Sequence, residues 1–187
     1  HHRLLMYTKE PPTFKRFHHL NRTELQGTVN WTRAVFKDST FRAFYGRIVI
    51  QKDPPEKDFG EFYLSFENSM CSEYVTEKLF NMYEDVDIIP VVRGGAHYSD
   101  FVPKDTFIDA NDFQSPEELG RYLKRLSRDK ARYTQMLRNK NRYMVARAKS
   151  EFHCSVCEAL HTRRHVQSVV PDYYRWLVSH CWKPDDL

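Results

Sequence analysis

The chain has 187 residues, of which 29 are basic and 25 acidic, so its formal net charge is only +4. Hydrophobic residues make up 41% of the chain and aromatic residues 14%, which is enough apolar surface for a folded core. The nearly balanced charge argues against a basic nucleic-acid-binding domain and leaves a mild bias toward anionic ligands. No apolar run approaches the roughly eighteen residues of a membrane span.

The first third of the chain shows little regular pattern. Residues 1–28 are polar and have no clean period, so we expect a loose arm or the remnant of an upstream lobe. Their opening, HHRLLMYTKE, has neither an initiator Met nor an anchor, which indicates a fragment or a processed chain. An aromatic-rich segment then ends in the β-branched run Ile48–Ile50. The pair Pro54-Pro55 that follows indicates a linker or a surface turn.

From Phe62 onward the pattern alternates between strand and helix. We predict a buried strand, a polar turn, a helix and two further strands, at Phe62–Phe66, Glu67–Glu73, Tyr74–Glu84, Ile88–Val92 and about Phe107–Ala110. Such alternation is typical of a parallel sheet covered by helices. The sequence therefore predicts an α/β fold.

Two helices are predicted beyond these strands. Ser115 is a helix N-cap residue, followed by Pro116 at the first helical position and Glu118 at the third, which together form a capping box. The spacing of Leu119, Tyr122, Leu123 and Leu126 places them on one helical face. A second helix is predicted from Asp129 to about Ala148.

The junction between the strand Phe62–Phe66 and the next helix carries the densest set of polar side chains. These are Glu67, Asn68, Tyr74, Glu77 and Lys78. Ligands of open α/β sheets bind at the carboxyl ends of the strands, and a helix N-terminus attracts phosphate. The junction therefore favours a nucleotide-sugar site over an ordinary polar turn that faces water.

The stretch FYLSFENSMCSEYVTEKLF, followed by IPVVRGGAHYSDFVPKDTFIDANDFQSPEELGRYL, resembles the donor-binding half of the α1,3-fucosyltransferase family. The similarity runs from about Glu61 to Tyr133, and a weaker one covers Val29–Gly46. The tail Cys154–Cys181 resembles the C-terminal end of the invertebrate and core-type members. It implies the Rossmann-like donor lobe of a two-lobed GT-B glycosyltransferase. Residues 1–50 would be a remnant of the acceptor lobe and the lobe connection, and residues 61–187 the GDP-fucose-binding lobe with C-terminal helices.

The resemblance also implies roles for individual residues. Asn68, Tyr74, Glu77 and Lys78 would contact GDP-fucose, and Glu67 would either orient the loop or bind sugar. Lys78 would neutralise the diphosphate, so no metal ion and no cofactor would be required. The general base would come from the acceptor lobe, and we assign it to no residue of this chain.

The resemblance is incomplete in one region. Where the family has a long segment with the first strand and helix of the donor lobe and a nucleotide-contacting arginine, this chain has only Ile50–Glu61. We therefore expect an incomplete donor lobe with an exposed sheet edge at the strand Phe62–Phe66.

The cysteines and two glycosylation sequons, at Asn21 and Asn30, favour a lumenal, oxidising setting. Cys154, Cys157 and Cys181 with His161 and His165 leave zinc and disulfides open, and disulfides are favoured. The resemblance implies that Cys181 pairs with Cys154 or Cys157, that Cys71 is free or mispaired, and that the full-length form is a type II membrane protein of the Golgi.

Three functions follow in order of preference. The first is an α1,3-fucosyltransferase that transfers fucose from GDP-fucose to N-acetylglucosamine of glycoprotein glycans with inversion. The second is a truncated, inactive relative that serves as an interaction fragment. The third is a nucleic-acid-binding module, which would show steeply salt-dependent binding to oligonucleotides.

Overall fold

The computed structural model describes residues 2–13, 15–52, 59–84, 86–146, 152–166 and 168–184. The chain forms two compact units, which alternate along the sequence. The first unit comprises His1–Phe44, Ser69–Tyr74 and Ala148–Leu187, and the second comprises Tyr45–Asn68 and Val75–Arg147. The domain bounds 1–50 and 61–187 stay a prediction.

In the described part of the chain, the strands are β1 (Leu4–Tyr7), β2 (Val29–Ala34), β3 (Phe41–Arg42), β4 (Arg47–Ile50), β5 (Phe59–Phe66), β6 (Met70–Cys71), β7 (Asp87–Arg93), β8 (Ile108–Asp109), β9 (Tyr143–Ala146) and β10 (Cys181–Trp182). The α-helices there are α1 (Glu77–Phe80), α2 (Pro116–Arg128), α3 (Lys130–Lys140), α4 (Phe152–Thr162) and α5 (Tyr173–Ser179). Short 3-10 turns join several of these elements, among them Lys15–Leu20, Asn81–Tyr83 and Tyr98–Asp100.

The first unit contains a parallel sheet of order β1-β2-β3. The central strand β2 buries Val29 and Trp31, and its Thr32 exchanges two hydrogen bonds with Thr40, at 3.1 and 3.0 Å. The expectation that residues 1–28 are irregular is wrong at Leu4–Tyr7. This short segment becomes a strand because β2 offers it a hydrogen-bonding edge in parallel register.

A disulfide in the first unit joins Cys71 to Cys181. The two cysteines face each other in the antiparallel pair of β6 and β10, which brings their side chains into bonding range. Cys154 and Cys157 are free and exposed on α4. The predicted pairing of Cys181 with Cys154 or Cys157, and the predicted free Cys71, are therefore wrong, because strand pairing rather than closeness in sequence selects the partner.

The second unit contains a parallel sheet of order β5-β7-β8. The central strand β7 is apolar along nearly its whole length, as expected of a strand covered on both faces. On one face Val92 packs with Leu79, Phe80 and Tyr83, and on the other Ile89 and Val91 pack with residues of α2 and α3. The predicted α/β fold, with strands at Phe62–Phe66, Ile88–Val92 and near Phe107–Ala110, is confirmed.

Strand β5 is at the edge of this sheet among the strands that the structure describes. Its side chains Tyr63 and Leu64 are 42% and 58% exposed, which is unusual for an apolar strand of a parallel sheet. This arrangement agrees with the exposed edge that was expected at Phe62–Phe66.

The helices show one confirmed prediction and two errors. In α2, Ser115 accepts a hydrogen bond from the amide of Glu118, as the capping box predicts. The second helix ends at Lys140 rather than near Ala148, because Tyr143–Ala146 pairs with β4 as an antiparallel strand. The helix predicted over Tyr74–Glu84 is the single turn α1 and a 3-10 turn. No helix in the described ranges has the length and apolar character needed to cross a membrane.

Candidate active site at the carboxyl edge of the second unit

The candidate site begins where the parallel strands of the second unit end. Val92 pairs with Asp109 and Phe66 pairs with Arg93, so β5, β7 and β8 end at one edge of the sheet. The amide of Glu67 continues the ladder by donating to the carbonyl of Arg93 at 2.8 Å. Glu67 therefore stands directly on the carboxyl edge, where ligands of open α/β sheets bind.

The Glu67 side chain fastens the start of α1 to the end of β5. Its Oε1 accepts a hydrogen bond from the amide of Thr76 at 2.8 Å, and its Oε2 accepts one from the Thr76 hydroxyl at 2.9 Å. Thr76 is in turn the N-cap of α1, with its hydroxyl oxygen accepting from the amide of Lys78 at 3.3 Å. The carboxylate thus holds the residue that caps the helix.

Lys78 lies over the same carboxyl edge. Its ammonium donates to the carbonyl of Phe66 at 3.0 Å and lies 4.0 Å from Oε2 of Glu67. The side chain is 35% exposed, whereas the Glu67 side chain has no exposed surface. The carbonyl of Phe66 takes one N–H of the ammonium, and the ion pair with Glu67 is beyond hydrogen-bond distance, so N–H donors remain for a ligand on the exposed side.

The start of α1 does not provide the unpaired amides that were predicted for phosphate. Four amides in this segment already have acceptors within the protein: those of Thr76, Lys78, Leu79 and Phe80. The helix is also a single turn, so its dipole is small. The backbone amides at this helix start therefore add little to the positive charge of Lys78.

The electrostatic environment of Glu67 is unusual. Burial raises the pKa of its carboxyl from the ordinary 4.5 to about 7. The two hydrogen bonds from Thr76 and the charge of Lys78 act in the opposite direction, and they are outweighed by the loss of hydration. The carboxyl therefore titrates near neutral pH.

Two residues at this edge were not singled out from the sequence. Tyr98 is 1% exposed, and its buried hydroxyl has no hydrogen-bond partner among the described residues. A Cβ on Gly94 would lie 2.4 Å from that hydroxyl and 3.1 Å from Cγ of Glu67, so only glycine fits there. Burial, together with the charge of Glu67, raises the pKa of the Tyr98 phenol. In the sequence, the Gly94-Gly95 pair was the one pattern that pointed to this part of the edge, and by itself it indicates only a turn.

The other predicted site residues are placed differently. Asn68 and Glu77 are exposed, Asn68 just after β5 and Glu77 at the first position of α1. Tyr74 belongs to the first unit and is only 2% exposed, so its ring presents almost no surface to a ligand in this structure. The structure thus brings Glu67 and Lys78 into contact, with Glu67 oriented inward.

A cavity of about 400 Å³ opens at the carboxyl end of β8. Its walls include His97, Tyr98, Asp109, Phe113 and Tyr122. Burial is the main cause that raises the pKa of the Asp109 carboxyl. The carboxyl edge of the second unit therefore combines aromatic faces and acidic groups with the exposed cation of Lys78.

Metal ligands are not clustered in the described ranges, where no group of three His, Cys, Asp or Glu side chains could hold an ion. An Asp-x-Asp triplet occurs at Asp85–Asp87, and its Asp87 is the first residue of β7, at the end of the strand opposite the candidate site. Asp85 is outside the described residues, and Asp87 is buried with its Oδ1 accepting from Asn141. Asp87 is therefore away from the candidate site.

The two sequons differ in their surroundings. Asn21 is exposed next to a 3-10 turn. The Asn30 side chain accepts from the amide of Leu4 at 2.9 Å and donates to the carbonyl of Ser168 at 3.1 Å. Glycosylation of Asn21 and of Asn30 stays a prediction.

The comparisons with known proteins identify the family of this chain. The C-terminal part of glycosyltransferase family 10 (fucosyltransferase) matches residues 49–176, which is more than half of the chain. The chain therefore belongs to the glycosyltransferase family 10 fucosyltransferases, and the predicted family is confirmed.

Named relatives cover part of this match. Alpha-(1,3)-fucosyltransferase C of Drosophila melanogaster is 39% identical over 122 residues, covering 64% of this chain and 28% of the fly protein. The 4-galactosyl-N-acetylglucosaminide 3-alpha-L-fucosyltransferase FUT6 of Homo sapiens is 46% identical over 80 residues, covering 42% of this chain and 22% of the human protein. The chain thus spans about a quarter of the length of these relatives.

Solved structures of alpha1,3-fucosyltransferase are also similar to this chain. One with GDP is 23% identical, with a TM-score of 0.38, and covers 72% of this chain and 37% of that one. One with GDP-fucose is 18% identical, with a TM-score of 0.40, and covers 95% of this chain and 45% of that one.

Proposed function

We propose that this chain is part of an enzyme that transfers fucose from GDP-fucose to N-acetylglucosamine of glycoprotein glycans, with inversion at the sugar. Family membership and the names of the fly and human relatives support fucosyl transfer. The observation that carries the proposal is the ammonium of Lys78, held at the carboxyl edge of a parallel sheet by Phe66 and Glu67 and still partly exposed.

Lys78 would serve as the cation that stabilises the departing diphosphate. Charge is transferred to the phosphate oxygens as the bond to fucose breaks, and a preorganised cation lowers the energy of that transition state. The contact with the carbonyl of Phe66 fixes the ammonium before the ligand arrives, so little reorganisation is needed on binding. With Lys78 in this role, the reaction would not require a metal ion.

The exposed residues around Lys78 would orient the donor. The carboxylate of Glu77 is suited to accept hydrogen bonds from ribose or fucose hydroxyls, and the amide of Asn68 can both donate and accept. Tyr74 would need to gain exposure before it could contact the donor. Inversion also needs a base that takes the proton of the acceptor hydroxyl, and that base would lie in the acceptor lobe.

An inactive, truncated relative is the second candidate, and one observation favours it. The edge strand β5 exposes Tyr63 and Leu64, as expected where neighbouring strands of a larger sheet are absent. Such a fragment would bind GDP-fucose weakly and would not transfer fucose.

Calorimetric titration of this chain with GDP-fucose tests the donor site, and a turnover assay of the full-length protein on an N-acetylglucosamine-containing glycopeptide separates the two candidates. Binding with turnover supports the transferase, and binding without turnover supports the inactive relative. Saturable binding that is unchanged in Lys78→Ala would exclude the proposed site. Lys124→Ala, which removes an exposed lysine on α2, is the matched control.

We further propose that the full-length protein acts in the Golgi lumen as a type II membrane protein. The disulfide between Cys71 and Cys181 supports an oxidising compartment. Imaging of the tagged full-length protein against a Golgi marker tests this setting, and expression of the chain behind a signal sequence tests the sequons, because their use gives a glycosidase-sensitive mass. The change of that mass in Asn21→Gln and Asn30→Gln would show which sequon is used.

A further inference from the structure

We infer that Glu67 is a positioning residue that links donor binding to the uptake of a proton. The inference rests on the proposed function, because it assumes that the diphosphate of GDP-fucose binds at Lys78. It concerns a residue that touches no ligand itself and acts through the lysine and the helix cap.

The geometry makes Glu67 the internal counter-charge of Lys78. Its Oε2 lies 4.0 Å from the ammonium, and its side chain has no contact with solvent. Both carboxylate oxygens accept from Thr76, so the carboxylate cannot turn away from the lysine without breaking its two hydrogen bonds to the N-cap residue of α1. The two charges are therefore held at a fixed separation.

A diphosphate bound at the exposed side of Lys78 would compete for the same positive charge. The carboxylate would then have a weakened counter-charge and a new negative neighbour in a region with little water. Its least costly response is to take up a proton from solvent. The protonated carboxyl can still accept the amide hydrogen bond of Thr76 through its carbonyl oxygen, so the cap is kept.

The other charged groups near Glu67 either favour its protonated form or do not act on it directly. Glu77 on α1 is a second negative charge that disfavours ionised Glu67. Tyr98 contributes a neutral phenol, since its pKa is raised, and Arg93 on β7 and Asp109 on β8 act on that phenol with opposite signs. Lys78 is the cation that acts directly on the carboxylate. The pKa of about 7 that burial gives Glu67 before any ligand binds supports the inference, because a proton can then be gained at physiological pH.

The test is calorimetry of GDP-fucose binding to the whole chain at pH 7.5, repeated in HEPES and in Tris, neither of which supplies a competing phosphate. The two buffers differ in ionisation enthalpy, so the difference in measured heat counts the protons taken up. GDP-fucose is preferred to GDP because its diphosphate has no group that titrates near neutral pH. We expect a fraction of a proton to be taken up, and affinity about fivefold higher at pH 6 than at pH 8.

Glu67→Gln should remove both the proton uptake and the pH dependence, because the amide keeps hydrogen bonds to Thr76 but cannot titrate. Glu61→Gln changes an exposed acid on β5 and should keep both. If Glu67→Gln does not fold, the uptake measured in the unmodified chain still decides. Binding without proton uptake overturns the inference and leaves the proposed function standing, whereas absence of binding overturns both.

Discussion

The segment from Glu67 to Lys78 contains two structural devices that differ in how far along the chain their partners lie. Cys71 is bonded to Cys181, which is 110 residues away. Glu67, in contrast, holds Thr76, nine residues away, and Lys78 returns to Phe66, twelve residues away. The cysteine device belongs to the first unit, and the Glu67–Thr76–Lys78 device belongs to the second.

This difference indicates which features survive when a chain is shortened. The side-chain hydrogen bonds of the Glu67–Thr76–Lys78 device lie within the segment from β5 to α1. Its burial also involves Arg93 and Gly94 in the second unit. The disulfide needs the far end of the chain to fold back and pair with β6. We therefore expect stability to depend on the cysteine device and ligand binding to depend on the local one.

The largest expected effect comes from removing the disulfide. Cys71→Ala should lower the free energy of unfolding by about 4–5 kcal/mol, because a bond that closes a long loop restricts the unfolded chain. The measurement is urea unfolding of the oxidised protein. The double variant Cys154→Ser, Cys157→Ser should unfold like the unmodified chain, since both thiols are free and exposed. An equal loss in that control would contradict the described pairing.

Removal of the Lys78 charge should affect binding most. Lys78→Ala is expected to weaken GDP-fucose binding about 100-fold, which corresponds to roughly 3 kcal/mol for one preorganised cation. Stability should change much less, because the lysine is partly exposed. Calorimetry and unfolding of the same variant give both quantities. A variant that loses stability but keeps its affinity would reverse the expected roles of the two devices.

The pH dependence of stability tests the burial of Glu67. The folded carboxyl has a pKa of about 7 against 4.5 when unfolded, so the folded state binds more protons between these values. The stabilisation present below pH 4.5 is therefore lost as pH rises to about 7, by about 2–3 kcal/mol. Urea unfolding of the unmodified chain and of Glu67→Gln across this range should show the difference, and parallel pH profiles would count against a buried, titrating Glu67.

The smallest effect is expected from the helix cap. Thr76→Ala removes both the cap of α1 and the hydroxyl that donates to Glu67, which should cost about 1–2 kcal/mol of stability. Thr76→Ser keeps the hydroxyl and should lose less than half of that amount. Thermal unfolding of the two variants makes the comparison. Equal losses would show that the methyl group, rather than the hydroxyl, is what Thr76 contributes.

Local interactions explain what was predictable. The helix N-cap at Ser115 and the strand at Phe62–Phe66 depend on residues within one turn or one strand, and both are confirmed. The contact between Glu67 and Lys78 is local for the same reason, and their role as site residues stays a prediction. The inward orientation of Glu67 was not decided from the sequence, because it depends on burial under neighbouring strands and on the space that Gly94 leaves.

Long-range pairing explains the errors. The segment Tyr143–Ala146 has the composition of either a helix end or a strand, and only its pairing with Arg47–Ile50 makes it a strand. Leu4–Tyr7 becomes a strand only beside β2. The partner of Cys181 was misassigned because four cysteines allow three pairings and sequence distance does not rank them.

The sequence by itself determined the alternation of strands and helices, the family, and the presence of a lysine near a strand end. Each of these depends on composition or on neighbours in sequence. Tertiary structure decided the disulfide, the last strand of the second unit and the burial of Glu67 beside Gly94. These depend on which distant segments meet, and the free energy of such meetings comes from packing and strand pairing that no local pattern encodes.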